Sequence, residues 1–118
     1  MSKFQTTTEM LRDAAVVKIA GYLSGHGGEK LEDEIDRLLE GGRRKIVINF
    51  SATDLVNSVG VSILIGVIEK ARHVHCDLAF TGLTPVNEEI FRLMGLHRHV
   101  PFLEAGEEVP DTAEGEAK

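Results

Sequence analysis

Ser58 is the residue whose position most readily suggests chemistry. It stands directly before the apolar run Val59–Ile68, where a helix would begin. As an N-cap, its hydroxyl would accept a hydrogen bond from a backbone N–H two or three residues on. The same place suits a phosphate, because the free N–H groups and positive dipole end of a helix favour a dianion. Phosphoserine would add roughly −1.5 to −2 charges and three strong acceptors. The other candidates are weaker. His73 and His75, and likewise His97 and His99, are spaced as metal-binding pairs on a strand can be. No carboxylate cluster completes a ligand set beside Cys76, so surface histidines and no metal are expected. Cys76 itself reads as a small buried hydrophobe. The glycine-rich stretch Gly21–Glu29 lacks both Gly-Lys-Ser/Thr and Gly-x-Gly-x-x-Gly, which argues against a nucleotide cofactor. Ser58 has no histidine close in sequence, and nothing resembles a catalytic triad. A binding protein, not an enzyme, is the expectation.

These residues need elements to hold them. Lys3–Met10 reads as an edge strand and Ala14–Ala20 as a second, joined by a tight turn at Arg12-Asp13. Gly21–Gly28 reads as a loop, four glycines in eight residues. Leu31, Ile35, Leu38 and Leu39 then mark one face of a helix that Gly41-Gly42 closes. Lys45–Phe50 is almost continuously apolar, as a central strand is, and Ser51–Asn57 reads as a connection. A helix over about Val59–Arg72 is apolar around most of its circumference, so it must be sandwiched in a core or covered by a partner. Asp77–Thr81 is a strand. Thr84 and Pro85 open a third helix as N-cap and first helical residue, with Val86, Ile90, Leu93 and Met94 as its buried face. Gly95 ends it, and Val100–Leu103 is the last strand. The order β-β-α-β-α-β-α-β predicts an α/β fold. Its crossovers favour parallel pairing in one sheet with helices packed against it.

Composition bounds the function further. A chain of 118 residues fits one domain. Five Phe, one Tyr and no Trp suggest an aliphatic core. One cysteine cannot make an internal disulfide, which favours a reducing compartment. Met1–Met10 is polar and unlike a signal peptide, and no apolar stretch is long enough to span a bilayer. The protein is read as cytoplasmic. The net charge is −6, and Glu104–Lys118 holds six acids against one base. Residues 1–104 are therefore read as the domain, and 105–118 as an acidic tail without fixed structure. No basic surface is implied, so neither nucleic acid nor membrane is an expected partner.

The stretch Ile46–Ala71, IVINFSATDLVNSVGVSILIGVIEKA, resembles a known pattern. That pattern is an apolar strand, Asp or Asn, a short loop, then Asp-Ser-Ser-Gly-Leu-Gly and an apolar helix. It belongs to the STAS domain of the anti-sigma factor antagonist kind. Thr84–Ala105 resembles the family's Pro-x-Val helix, Gly-Leu turn and final strand. AGYLSG near residue 20 is a weaker match to a Gly-x-Leu-Asp stretch. The resemblance covers roughly residues 5–104. It implies a mixed sheet of four or five strands with helices mainly on one face. It also implies a switch. Unphosphorylated antagonist binds an anti-sigma factor that is itself a serine kinase and so frees a sigma factor. The kinase uses ATP to phosphorylate the antagonist, and a serine phosphatase restores it. Ser58 falls on the phosphoacceptor and Gly60 on the family's glycine. Ser24, Asn57, Ser58, Val59, Gly60, Ser62 and Gly66 are then the expected partner-binding residues. Asn57 and Ser24 each stand where the family has Asp. The protein itself is expected to be a monomer or weak homodimer. The alternative is a constitutive scaffold or transporter-accessory module, with Ser58 only a cap.

Overall fold

Alternation of apolar and polar residues along the second strand sets the architecture. In the computed structural model, which describes residues 3–104 and 107–110, strand β2 (Ala14–Leu23) buries Ala15, Val17, Ile19 and Leu23 on one face. Strand β1 (Gln5–Leu11) pairs with it antiparallel through the Arg12-Asp13 turn, from Leu11 opposite Ala14 to Gln5 opposite Ala20. Arg12 takes a left-handed φ of 47° there, as the twist of a two-residue hairpin demands. Strand β3 (Lys45–Val56), strand β4 (Asp77–Thr81) and the short strand β5 (Phe102–Leu103) follow in parallel, giving one mixed sheet in the order β1-β2-β3-β4-β5. Helix α1 (Gly25–Glu40) joins β2 to β3, α2 (Ser58–His73) joins β3 to β4, and α3 (Pro85–Leu93) leads through a 3₁₀ turn (Leu96–Arg98) to β5. Buried residues of all three helices and of one sheet face form a single core. The fold expected from the crossovers is the fold observed; α2 buries Val61, Leu64, Val67, Ile68 and Ala71 but leaves Val59 and Ile65 exposed, so its apolar circumference is only partly covered within the chain.

Four details differ from the sequence reading. First, β3 does not stop at Phe50. It runs on through Ser51–Val56 beside β2, with register shifts between Lys18 and Ala20 and between Gly21 and Leu23. Beyond Phe50 the buried positions become Thr53 and Val56, every third residue, so the period-two signal disappears while the ladder continues. The Thr53 hydroxyl donates to the Ile19 carbonyl at 2.8 Å, which satisfies it in the interior.

Second, Gly21–Gly28 is not a loop. Gly21, with φ 93°, lies inside a bulged strand that runs on to Leu23, and Gly25, Gly27 and Gly28 form the first turn of α1. A Cβ on Gly27 would lie 2.7 Å from the Phe4 ring, and one on Gly28 2.2 Å from Ile63 Cδ1. These glycines permit close packing; they do not supply flexibility.

Third, α3 is rotated by about one residue from the expected face. Asn87 and Phe91 are buried, while Val86, Leu93 and Met94 are exposed. Phe91 decides this, because its ring contacts Phe50 and Phe80 edge-to-face at centroid distances of 5.4 and 5.8 Å. Fourth, those three rings are the largest fully buried side chains. The few aromatics are concentrated, and the core is aromatic beneath β3 and β4.

The acidic stretch read as a tail lies partly outside the described residues, at 105, 106 and 111–118. Within it, Val109 is buried although it does not belong to the main core. Among the described residues no helix is long and apolar enough to cross a membrane.

Helix α2 meets the sheet through Gly60, where an added Cβ would stand 2.5 Å from the Leu23 carbonyl oxygen. At Gly66 the nearest atom would be Glu32 Oε2 at 4.0 Å. Gly60→Ala is expected to cost about 1–3 kcal/mol by overpacking against rigid backbone. Gly66→Ala should instead gain up to about 1 kcal/mol from helix propensity. Urea denaturation of the two variants checks the opposite signs.

Candidate functional site

Parallel strands deliver their following helices to one edge of the sheet. The N-termini of α1, α2 and α3 therefore gather beyond the ends of β2, β3 and β4, where parallel sheets place their binding sites. Contacts tie the three together. A Cβ on Gly25 would sit 3.2 Å from Val59 Cγ1, which sets the start of α1 beside the start of α2. The Asn87 side-chain amide donates to the Asp54 carbonyl at 3.4 Å, which brings the start of α3 to the end of β3. Asn87 Oδ1 is buried and has no partner among the described residues.

Ser58 is the first residue of α2, not its cap. The cap is Asn57, whose Oδ1 accepts from the Gly60 N–H at 2.8 Å and whose carbonyl accepts from Val61 at 3.0 Å. The Asn57 N–H in turn donates to the Leu23 carbonyl at 3.1 Å. Asn caps a helix about as well as Asp, so the side chain that stands where the resembled pattern has Asp keeps its structural task without its charge. The Ser58 side chain, released from capping, is exposed. No acid occupies the first turn of α2, so the positive end of the helix dipole is uncompensated there.

The expected partner-binding residues divide into three groups. Ser24, Asn57, Ser58 and Val59 come together at the sheet edge; Ser24 caps α1 through its backbone, with no side-chain hydrogen bond. Gly60 is buried and contributes shape, not surface. Ser62 and Gly66 continue one and two turns along α2. The Ser62 hydroxyl donates to the Ser58 carbonyl at 3.1 Å, and Gly66 faces Glu32 of α1. One turn further, Lys70 bridges Glu32 and Asp36 of α1 at 2.9 and 3.1 Å. Those carboxylates hold its ammonium above the usual lysine range. This half-exposed clamp adds little stability.

Sequence reasoning missed two members of the site. Leu55 is 54% exposed, Val59 50% and Val86 57%, three apolar side chains on the segments that meet at Ser58. Leu55 lies in the stretch expected to be a connection, beside buried Val56; Val86 is expected on the buried face of the third helix. The strand register and the phase of α3 reveal both. No group of three or more His, Cys, Asp or Glu among the described residues is arranged to hold a metal.

Comparison with known proteins agrees with this geometry. A family model described as Mlab, STAS domain, matches residues 6–104. A Bordetella bronchiseptica protein named as an anti-sigma factor antagonist, BtrV, is 24% identical over 89 residues, 75% of this chain and 77% of its own. An anti-sigma factor antagonist from Mycobacterium paratuberculosis superposes with a TM-score of 0.77 at 23% identity, covering 97% of this chain and 93% of that one. The Bacillus cell-fate determinant SpoIIAA in its phosphorylated form gives 0.68 at 21% identity, covering 98% and 100%.

The cap geometry separates the roles of adjacent residues. Asn57→Ala is expected to lower stability by about 1 kcal/mol and Asn57→Asp to leave it nearly unchanged. Ser58→Ala should stay within about 0.5 kcal/mol of the parent, as an exposed site does. Chemical denaturation of the three variants measures this order, and a larger loss at Ser58 than at Asn57 would reverse the assignment.

Proposed function

The chain belongs to the STAS domain family, and on that premise we propose that it is an anti-sigma factor antagonist switched by phosphorylation at Ser58. The observation that carries this reading is the exposed Ser58 at the first position of α2, on segments that also expose Leu55, Val59 and Val86. Unmodified, that surface is apolar with small polar groups, and it would dock on an anti-sigma factor that is also a serine kinase. Ser24, Asn57, Val59, Ser62 and Gly66 would contribute contacts, while Gly60 holds α2 at the depth where they can. Binding would occupy the kinase and free its sigma factor, in the cytoplasm, where the kinase has ATP.

Phosphorylation would end the interaction by desolvation and charge. The Ser58 oxygen would form a bond to the γ-phosphorus of ATP as the β,γ-anhydride bond breaks. ADP would leave, and the hydroxyl proton would pass to a base of the kinase. The product carries roughly −1.5 to −2 charges. Re-docking would require stripping water from that dianion against apolar neighbours, which costs several kcal/mol unless a cation meets it. The fold would survive, because a helix N-terminus tolerates a dianion. A serine phosphatase would hydrolyse the ester and restore binding. The chain is then substrate and ligand, not catalyst.

A second reading, constitutive binding to a scaffold or transporter without regulation at Ser58, rests on Asn57 standing in the place of Asp. Affinity capture from host lysate distinguishes the two. Wild type and Ser58→Ala are expected to retain a serine kinase, and Ser58→Glu to lose it by well over tenfold in affinity, more than about 1.4 kcal/mol. Leu55→Ser should weaken the same capture without lowering the unfolding midpoint. Equal recovery of one transporter or scaffold subunit by wild type, Ser58→Ala and Ser58→Glu would establish the constitutive reading instead.

A further inference from the structure

At the opposite end of α2 from Ser58, roughly 20 Å along the helix, the chain turns and meets the 3₁₀ segment. A cleft of about 280 Å³ opens there. We propose that this cleft is a binding site for an oligophosphate anion, held by Arg72, His75, His97, Arg98 and His99.

Charge is the first argument. The chain carries −6 overall, yet two arginines and three histidines line this one cleft. The acid among its lining residues, Asp77, is buried and already engaged within the protein. The neighbouring Cys76 thiol is pushed up to about 11, first by burial and then by Asp77, so it stays neutral and does not repel an anion. The floor is supplied by buried, mainly apolar parts of α2, β4 and the segment before β5. Two fixed guanidinium charges, with imidazole N–H donors beside them, suit a ligand bearing two to four negative charges. Arginine binds phosphate oxygens through paired N–H groups.

Geometry is the second argument. Arg72 Nη2 lies 3.2 Å from His99 Nδ1. Guanidinium can only donate, so Nδ1 accepts and the ring proton sits on Nε2. The contact therefore couples one arginine of the rim to an imidazole that still has a donor to offer.

The third argument is a backbone conformation. Helix α2 ends in a Schellman motif: Cys76 N–H donates to the Ala71 carbonyl at 2.8 Å and His75 N–H to the Arg72 carbonyl at 3.1 Å. The left-handed position of that motif ordinarily belongs to glycine, yet here it is His75, with φ 59°. A side chain at that position is strained relative to glycine. It also delivers an imidazole to the rim of the cleft. The two histidine pairs of the sequence thus resolve differently from a metal site. His75, His97 and His99 converge here without a metal-binding arrangement, whereas His73 points to a separate groove beside α1.

Isothermal titration of the full chain with inorganic pyrophosphate at low ionic strength tests the site. Saturable binding is expected with a Kd of about 10–100 μM, weakening with added salt. Arg72→Gln and Arg98→Gln should each reduce affinity about tenfold or more; both residues are exposed, so the variants should fold. His75→Gly is the diagnostic variant. It should raise the thermal midpoint by relieving the left-handed strain while lowering pyrophosphate affinity, and a purely structural histidine would change only the first. ADP binding as tightly as pyrophosphate would assign the site to the oligophosphate alone; tighter ADP binding would place a nucleoside contact beside it. Absence of saturation up to about 5 mM of either probe, or unchanged affinity in both arginine variants, would overturn the proposal.

Discussion

The position of Ser58 depends on how closely α2 can approach the end of β2. Three contacts set that distance: the Asn57 N–H on the Leu23 carbonyl, the Asn57 side chain on the Gly60 N–H, and the missing Cβ of Gly60 above the same Leu23 carbonyl. One carbonyl therefore orients the cap and limits the helix at once. A side chain at position 60 would have to lift the helix, move Leu23, or break the cap. Each change would displace the first turn, and with it the exposed Ser58 hydroxyl and the exposed Val59 side chain. Neither Gly60 nor Asn57 needs to touch a partner to control what the partner meets.

The sheet supplies the rest. Three parallel crossovers place three helix N-termini at one edge, so that edge is rich in unpaired N–H groups and positive dipole ends. The Asn87–Asp54 hydrogen bond and the Gly25–Val59 contact show that the three ends are physically joined. The aromatic cluster of Phe50, Phe80 and Phe91 lies beneath β3, β4 and α3 and fixes their relative rotation. That rotation leaves Val86 outside. The same packing choice that fills the core thus contributes an apolar group to the candidate surface.

Much of this was legible in the sequence, and what was not has identifiable physical causes. Apolar runs and cap residues located every strand and α-helix, though not the 3₁₀ turn, and Thr84 and Pro85 open α3 as their chemistry requires. Boundaries failed where the local signal changed while the structure did not. Past Phe50 the bulged pairing turned a two-residue period into a three-residue one, which no strand template recognises. Glycines at 25, 27 and 28 read as a loop because glycine frees a backbone in isolation; here Phe4 and Ile63, distant in sequence, demand the missing side chains. The expected face of α3, Val86, Ile90, Leu93 and Met94, leaves out Phe91; that one large ring outweighs several smaller side chains and leaves Ile90 only partly buried beside it. At the site, Ser58 and Asn57 are adjacent and both can cap a helix. Only the hydrogen bond to Gly60 separates them, leaving one as scaffold and the other as a free hydroxyl.

The magnitudes indicate how a single phosphate at Ser58 would act. The chain is already at −6, so another two negative charges change its long-range field only modestly, and salt screens that field beyond about 8–10 Å. Repulsion at a distance is therefore the smaller effect. The helix N-terminus favours a nearby anion by about 0.3–1 kcal/mol when exposed, enough to keep the modified residue in place but too little to neutralise it. Desolvation is larger: covering an unpaired dianion with an apolar surface costs several kcal/mol. A partner that buries Leu55, Val59 and Val86 gains roughly 25 cal/mol for each Å² of apolar surface removed from water, a few kcal/mol for three half-exposed side chains. The two quantities are of similar size and opposite sign. A modification of one oxygen can therefore cancel most of the binding energy of a small apolar surface while leaving the fold untouched, provided the acceptor sits within that surface and not in its rim.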